Sequence, residues 1–207
     1  MKISLITPAK KSSRNGNRTT AIRWARILRD LGHHVDIGIE YRAKQNVDLM
    51  IALHAWRSAS SIEKYRMHYP KNPLVVALTG TDVHEFMQSD YLTTINSLER
   101  ADKLVCLNNS IYEELPKKFH KKLYVIFQSA KPLKKKRIQL KSHFSICLIA
   151  HMRDVKDPLR GAIALRNVPS ASRLRLIHLG KGHNKKWERR CLSEMKRNSR
   201  YLWKGEK

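Results

Sequence analysis

A glycine flanked by asparagines and arginines follows the first apolar run of the chain, in the segment Arg14, Asn15, Gly16, Asn17 and Arg18. Two arginine forks and the backbone amides at a helix N-terminus are suited to binding phosphate oxygens. The segment lacks the G-x-G-x-x-G pattern, and we identify no acidic residue at the usual ribose position, which disfavours a dinucleotide site. The alternative is a polar loop that binds nothing. The segment is therefore a candidate phosphate-binding loop.

Polar residues also follow the later apolar runs of the first half of the chain. They are His54, Arg57, Thr79, Gly80, Thr81, Asp82, Gln128 and Ser129. Ligands bind at the carboxyl ends of the strands in open α/β sheets, so these residues are predicted to gather at that edge. His54 and Asp82 are candidate catalytic residues, and the others are candidates for binding an acceptor. The alternatives are a core histidine at His54 and a helix N-cap at Asp82.

The second half of the chain repeats this arrangement with different residues. His151, Arg153 and Lys156 follow one apolar run, and Gly180 follows the next. Two cations three residues apart, just before a proline that can start a helix, suit a diphosphate, although a solvated turn is the alternative. Taken together, the loops of both halves predict a cleft that binds an anionic, phosphate-bearing ligand.

Strand and helix signals alternate along the chain and must position these residues. Apolar runs predict strands at residues 2–8, at a segment ending near 38, and at 48–55, 73–78, 103–107, 124–127, 144–150, 174–179 and 201–203. Helices are predicted after an N-cap at Thr19 or Thr20, at 58–69 and 91–100, after caps at Ser110 and Asp157, and at 187–195. We predict a complete Rossmann-like, doubly wound lobe at 1–130, a basic linker at 131–143, and the incomplete start of a second Rossmann-like lobe at 144–207.

Composition narrows the class of protein. The 207 residues carry 42 Lys and Arg against 17 Asp and Glu, a net charge of +25, which favours anionic partners. The basic runs at 117–122, 131–141 and 185–190 are more typical of solvated faces than of binding sites. No signal peptide or membrane-spanning segment is predicted, and Cys106, Cys147 and Cys191 are predicted to be reduced core thiols, so a cytoplasmic protein is expected.

Several segments resemble bacterial GT-B glycosyltransferases of the GT4-like type, in order and spacing. They are ITPAKKSSRNGNRTTAIRWARILRDLGH, DLMIALHAWRSA, PLVVALTGTD, LERADKLVCLN, VIFQSA, HMRDVKDPLR, RLIHLGKG and MKRNSRYLWKGE. Within that class the chain is most similar to the selenosugar synthases of selenoneine biosynthesis. The resemblance implies two Rossmann-like lobes, with the acceptor in the first and the nucleotide sugar in the second. The family continues through a loop containing E-G-G that this sequence does not reach, so the second lobe is expected to be truncated.

The same resemblance implies a reaction and roles for residues. A sugar, expected to come from UDP-N-acetylglucosamine, would be transferred to selenophosphate without a metal or other cofactor. Arg153 and Lys156 would neutralise the departing UDP. Residues 14–18 and 79–82 would hold the selenophosphate, and Asp82 would orient it, because this anionic nucleophile needs no strong general base.

Two other classes of function remain open at the level of sequence. The first is a basic module that binds nucleic acid or an anionic membrane surface. Few aromatic side chains lie near the basic runs, so specific binding of nucleic acid is not expected, whereas peripheral contact with an anionic membrane stays open. The second is a catalytically inactive, truncated remnant.

Overall fold

Short apolar runs separated by polar segments give the chain an alternating α/β order in the computed structural model, which describes residues 1–13, 15–43, 46–130, 132 and 142–207. The chain divides into two units, Met1–Lys131 and Pro132–Lys207. The predicted linker at 131–143 lies outside the described residues, apart from residues 132, 142 and 143. No helix in the described part of the chain is both long and apolar enough to span a membrane.

The described residues of the first unit form a six-stranded parallel sheet. Its strands are β1 (Lys2–Ile6), β2 (His34–Gly38), β3 (Leu49–Leu53), β4 (Leu74–Ala77), β5 (Lys103–Cys106) and β6 (Leu123–Val125), in the order β2-β1-β3-β4-β5-β6. Its helices are α1 (Gly16–Asp30), α2 (Ala59–His68), α3 (Thr81–His84), α4 (Phe86–Ser89), α5 (Tyr91–Arg100) and α6 (Ile111–Glu114), with a 3-10 helix at Lys117–Lys122. This is the doubly wound lobe that the sequence predicts.

Both faces of this sheet are buried, as is usual for parallel sheets. Ile3 and Leu5 of β1 pack against Ala21 and Ala25 of α1 on one face. Ile62 and Tyr65 of α2, with Ile95 and Leu98 of α5, belong to the core on the other face. The chain passes from β2 back across β1 to β3, so the strand order reverses at β1. The loops after β1 and β3 therefore flank the topological switch point, where such sheets bind ligands.

The second unit has a smaller parallel sheet. It contains β7 (Phe144–Ile149), α7 (Arg160–Ala164), β8 (Leu174–Leu179), α8 (Lys185–Arg197) and β9 (Tyr201–Trp203), with the strands in the order β7-β8-β9. Trp187 and Cys191 of α8 pack with Leu176 and Tyr201 in its core. Two 3-10 helices, Asp154–Lys156 and Leu165–Asn167, lie between β7 and β8.

Three predicted N-caps make no capping bond in the structure. Helix α1 begins at Gly16 rather than after Thr19 or Thr20, because the side chain of Asn15 caps it by accepting from the Arg18 amide. Ser110 makes no capping bond to α6. The predicted cap Asp157 instead has a left-handed backbone (φ 41°), and α7 begins only at Arg160.

The cysteine prediction is correct in two positions and wrong in one. All three thiols are free, and Cys106 and Cys191 are buried. Cys147 lies on β7 and is exposed, so it is not a core thiol.

Candidate functional site

His54 lies directly after β3 and is the centre of a hydrogen-bonded cluster. It is 1% exposed and has a left-handed backbone, φ 74°. Its Nδ1 accepts from the backbone N–H of Arg57 at 3.2 Å, so the hydrogen of the neutral ring is on Nε2, which lies 3.0 Å from Oγ1 of Thr81. Burial lowers the pKa of His54, although the charge of Asp82 opposes this. His54 therefore donates to Thr81 as a neutral ring, and the Thr81 hydroxyl hydrogen is left to donate elsewhere.

Asp82 joins the loops after β3 and β4. Its carboxylate accepts from the backbone N–H groups of Ala55 at 3.1 Å, Thr79 at 3.0 Å and Gly80 at 2.8 Å. The side chain is completely buried. Because its oxygens are engaged by backbone amides and shielded from solvent, this geometry suits Asp82 to holding the loops in place rather than to exchanging protons with a ligand.

Arg57 lies beside an aromatic pair that sequence reasoning missed. The rings of Trp56 and Phe86 stack with centroids 3.9 Å apart, and Nε1 of Trp56 donates to Asp90 at 2.7 Å. The Arg57 guanidinium lies 5.8 Å from the ring centroid of Trp56 and 5.5 Å from that of Phe86. This pair supports an exposed cation next to His54 and Thr81. The dipeptide Trp56-Arg57, directly after the histidine, was the available signal.

The candidate phosphate-binding loop is partly the first turn of α1. Asn15 is its N-cap, and Gly16, Asn17 and Arg18 are helical, while Arg14 lies outside the described residues. A Cβ atom added at Gly16 would meet nothing within 4 Å, so the glycine leaves open space above the helix end. Gln128 donates from Nε2 to Thr20 of the same helix at 2.9 Å, and both Gln128 and the following Ser129 are exposed.

The structure thus brings the first-unit candidates to one edge of the sheet. His54, Arg57 and the segment from Thr79 to Asp82 form one hydrogen-bonded cluster, and the N-terminus of α1 follows β1 on the neighbouring strand. This edge includes the switch point. It offers a hydroxyl, a cation and the N-terminus of α1, a combination suited to holding an anion.

The second-unit candidates form a cationic turn. Arg153 is the N-cap of the 3-10 helix Asp154–Lys156, its carbonyl accepts from the Lys156 N–H at 3.0 Å, and both residues are exposed. His151 accepts at Nδ1 from the Lys181 amide at 3.0 Å, which ties the turn to the loop after β8. Gly180 has φ 156°, and a side chain there would overlap the carbonyl oxygen of Ala150. Gly180 is therefore required for close backbone approach.

His178 of β8 is a second buried histidine that the sequence reasoning left out. Its Nε2 lies 3.0 Å from the carbonyl oxygen of Ala150, so it donates there, and Nδ1 accepts from the Tyr201 hydroxyl at 2.9 Å. Burial lowers the pKa of His178 and raises that of Tyr201. Both ring nitrogens are bonded to the protein, so His178 acts as a structural link between strands.

Two further observations concern ligand types. Among the described residues, no group of three or more His, Cys, Asp or Glu side chains is arranged to hold a metal ion. The acidic residue that we judged missing from the ribose position is present: Asp36 lies on β2, twenty residues after Gly16, and lines a cavity with Arg18. The spacing was the signal, and the absence of the full glycine pattern hid it.

Comparison with known proteins establishes the fold. No protein-family model matches the sequence, and a search of curated proteins gives no match. Among solved structures, HepE of Anabaena in complex with UDP matches over 100% of this chain and 70% of its own, with a TM-score of 0.63 and 11% identity. The fold is that of GT-B glycosyltransferases.

Two more GT-B structures give the same result. HepE in complex with UDP-glucose has a TM-score of 0.59 and 12% identity, and covers 100% of this chain and 69% of its own. MurG of Acinetobacter baumannii has a TM-score of 0.52 and 11% identity, and the match covers 99% of this chain and 65% of MurG. At such low identity the GT-B likeness concerns the fold, and the chemistry must be argued from this chain's own residues.

Proposed function

We propose that this protein is a glycosyltransferase that transfers a sugar from a UDP-sugar to a small anionic acceptor. The observation that carries the proposal is the GT-B fold. The likeness covers 100% of this chain for HepE with UDP and for HepE with UDP-glucose, and 99% for MurG. The cationic turn of the second unit and the anion-binding edge of the first supply the charges that such a reaction needs.

The second unit supports the donor half of this proposal. When the bond between the sugar and the diphosphate breaks, UDP leaves with the electron pair and gains negative charge. Arg153 and Lys156 are joined by one hydrogen-bonded turn and are exposed, so both side chains can approach a diphosphate. Cations placed where negative charge develops stabilise the transition state, and this requires no metal ion.

The first unit supports the acceptor half. The Thr81 hydroxyl, held by His54, and the Arg57 guanidinium, supported by Trp56 and Phe86, are fixed before a ligand arrives. Asp82 is engaged by backbone amides, and His54 uses both ring nitrogens, so this cluster offers no free general base. A nucleophile that is already anionic suits such a site. We propose selenophosphate as this acceptor and UDP-N-acetylglucosamine as the donor. The selenium of selenophosphate attacks the anomeric carbon as UDP leaves, and water then cleaves the Se–P bond, which releases phosphate and a selenosugar.

The test is to incubate the protein with selenophosphate and a panel of UDP-sugars, and to follow UDP release and selenosugar formation by mass spectrometry. We expect the double variant Arg153→Ala/Lys156→Ala to weaken UDP binding, measured by calorimetry, by about 10- to 100-fold. The matched control is Lys196→Ala/Arg197→Ala, which removes the same charge from the exposed last turn of α8, away from the loops that follow the strands. UDP release without any selenium product would reject selenophosphate as acceptor, and equal UDP binding by the two double variants would reject the donor site.

A further inference from the structure

The cavity that Asp36 and Arg18 line lies beside β2, an edge strand of the first sheet. It has a volume of about 600 Å³ and is formed at the carboxyl ends of β1 and β2. Ser4 and Ile6 of β1 line it together with Asp36 and Gly38, their register partners on β2. The residues of β1 that line it, Ser4 and Ile6, alternate with Ile3 and Leu5, on which α1 packs.

Arg18 extends from the first turn of α1 into the lining of this cavity. Its side chain is only 9% exposed, and its Nε, which is fully buried, has no hydrogen-bond partner anywhere in the described residues. A buried charge without a partner is unfavourable, so such groups are normally paired with an anion. The helix N-terminus adds partial positive charge at the same place. Arg18 is therefore positioned to receive an anionic ligand group.

The rest of the lining defines what else the ligand carries. Two further cations, Lys11 and Arg42, line the cavity, as do the carboxylates Asp36 and Glu40. Carboxylates accept hydrogen bonds from ligand hydroxyl groups, whereas they would repel a second anionic group. No aromatic side chain is part of the lining in the described residues, so nothing there offers a stacking surface for a nucleobase.

We propose that this cavity binds a phosphate monoester of a polyol, with the phosphate on Arg18 and the hydroxyls on Asp36 and Glu40. The cavity lies on the β2 side of β1 and the cluster at His54 on the β3 side, so Arg18, which the resemblance assigns to selenophosphate, is given a different ligand here. Binding here requires no sugar transfer. The proposal therefore goes beyond the proposed function and can be tested without it.

The test is calorimetric titration with ribose 5-phosphate at physiological ionic strength. We expect Arg18→Gln to weaken binding at least about tenfold, because it removes a charge-assisted, two-point contact with phosphate. The control, Arg26→Gln, removes the same charge from an exposed position on the same helix and should change binding less than about twofold. Equal weakening by the two variants would mean that only bulk charge attracts phosphate, and the proposal would fail.

Two further arms test the rest of the proposal. Asp36→Asn should weaken ribose 5-phosphate but leave the affinity for inorganic phosphate unchanged, and no difference between the two probes would refute the role of the hydroxyls. Tighter binding of AMP than of ribose 5-phosphate would instead identify a nucleotide site. Arg18→Gln should keep a melting temperature at least as high as that of the unmodified protein, because it removes a buried Nε that has no hydrogen-bond partner among the described residues. Should it fail to fold, Arg18→Lys, which keeps the charge without the fork, must still weaken ribose 5-phosphate.

Discussion

Each unit buries a histidine near the carboxyl end of a parallel strand, and the two histidines are bound differently. His178 donates to the Ala150 carbonyl and accepts from Tyr201, which is itself buried. His54 accepts from a backbone amide and donates to Thr81, whose side chain is partly exposed. The first arrangement is closed within the protein, whereas the second ends on a hydroxyl that a ligand can reach. Burial alone therefore does not separate a structural histidine from one that positions a functional group.

The largest effect is expected from Asp82→Asn, which removes the support of the His54 cluster. An asparagine turns an NH₂ group toward backbone amides that need an acceptor, so the free energy of unfolding should fall by about 2–4 kcal/mol. Urea unfolding followed by tryptophan fluorescence measures it. Asp30→Asn is the control. Asp30 is exposed, and its oxygen lies 4.0 Å from Nε of the exposed Arg26, so the loss of this weak ion pair should change stability by less than about 0.5 kcal/mol. Equal stability of the two variants would show that the loops after β3 and β4 hold without the carboxylate.

Tyr201→Phe tests the closed arrangement in the second unit. Loss of the hydroxyl leaves Nδ1 of His178 without its donor in a buried position, which should cost about 1–2 kcal/mol. Hydrogen exchange of peptides from residues 144–207 can show whether the loss is confined to that unit. Tyr124→Phe is a matched control, because Tyr124 is exposed and its hydroxyl accepts from the exposed Lys103. A loss no larger than that of the control would mean that His178 does not depend on Tyr201.

The sequence predicts the fold well where burial alone decides the structure. The strand at Leu174–Leu179 and the helix at Tyr91–Arg100 have their predicted bounds, because leucine and isoleucine supply most of the strand and the side chain of Asp90 caps the helix by accepting from the Thr93 amide. The predicted start of α1 is wrong because Asn15, Thr19 and Thr20 are all good N-caps, and the apolar spacing begins only at Ala21. Local chemistry could not choose among them.

The candidate site was predictable as a set of loops but not as a set of contacts. Residues at the carboxyl ends of strands gather at one edge in any open α/β sheet, which the sequence pattern already implies. The bond between His54 and Thr81 joins residues twenty-seven apart, and it depends on the pairing of β3 with β4 and on the left-handed backbone at His54. The cavity at Arg18 requires a side chain that reaches across the sheet edge, which no spacing rule gives.

Acid should act on both histidines in the same direction. Burial lowers the pKa of His54 and of His178, so between their folded values and the ordinary value of about 6.5 the unfolded chain binds more protons. Stability is therefore retained above about pH 6.5 and lost as the pH falls below it, by at most about 1.4 kcal/mol per pH unit for each histidine. Unfolding measured from neutral to mildly acidic pH checks this. His178→Gln should give a shallower slope, and an unchanged slope would assign the effect to other groups.

The smallest effect on stability is expected at Thr81, where the open arrangement ends. Thr81→Val removes the acceptor for Nε2 of His54, but water can replace a partly exposed hydroxyl, so the loss should stay near 0.5 kcal/mol. In the selenosugar assay the same change should lower kcat at least about tenfold, while Thr81→Ser, which keeps the hydroxyl, should retain most of the rate. A stability loss as large as that of Tyr201→Phe, with the rate unchanged, would make His54 a structural link like His178. The acceptor would then have to bind elsewhere on the carboxyl edge of the first sheet.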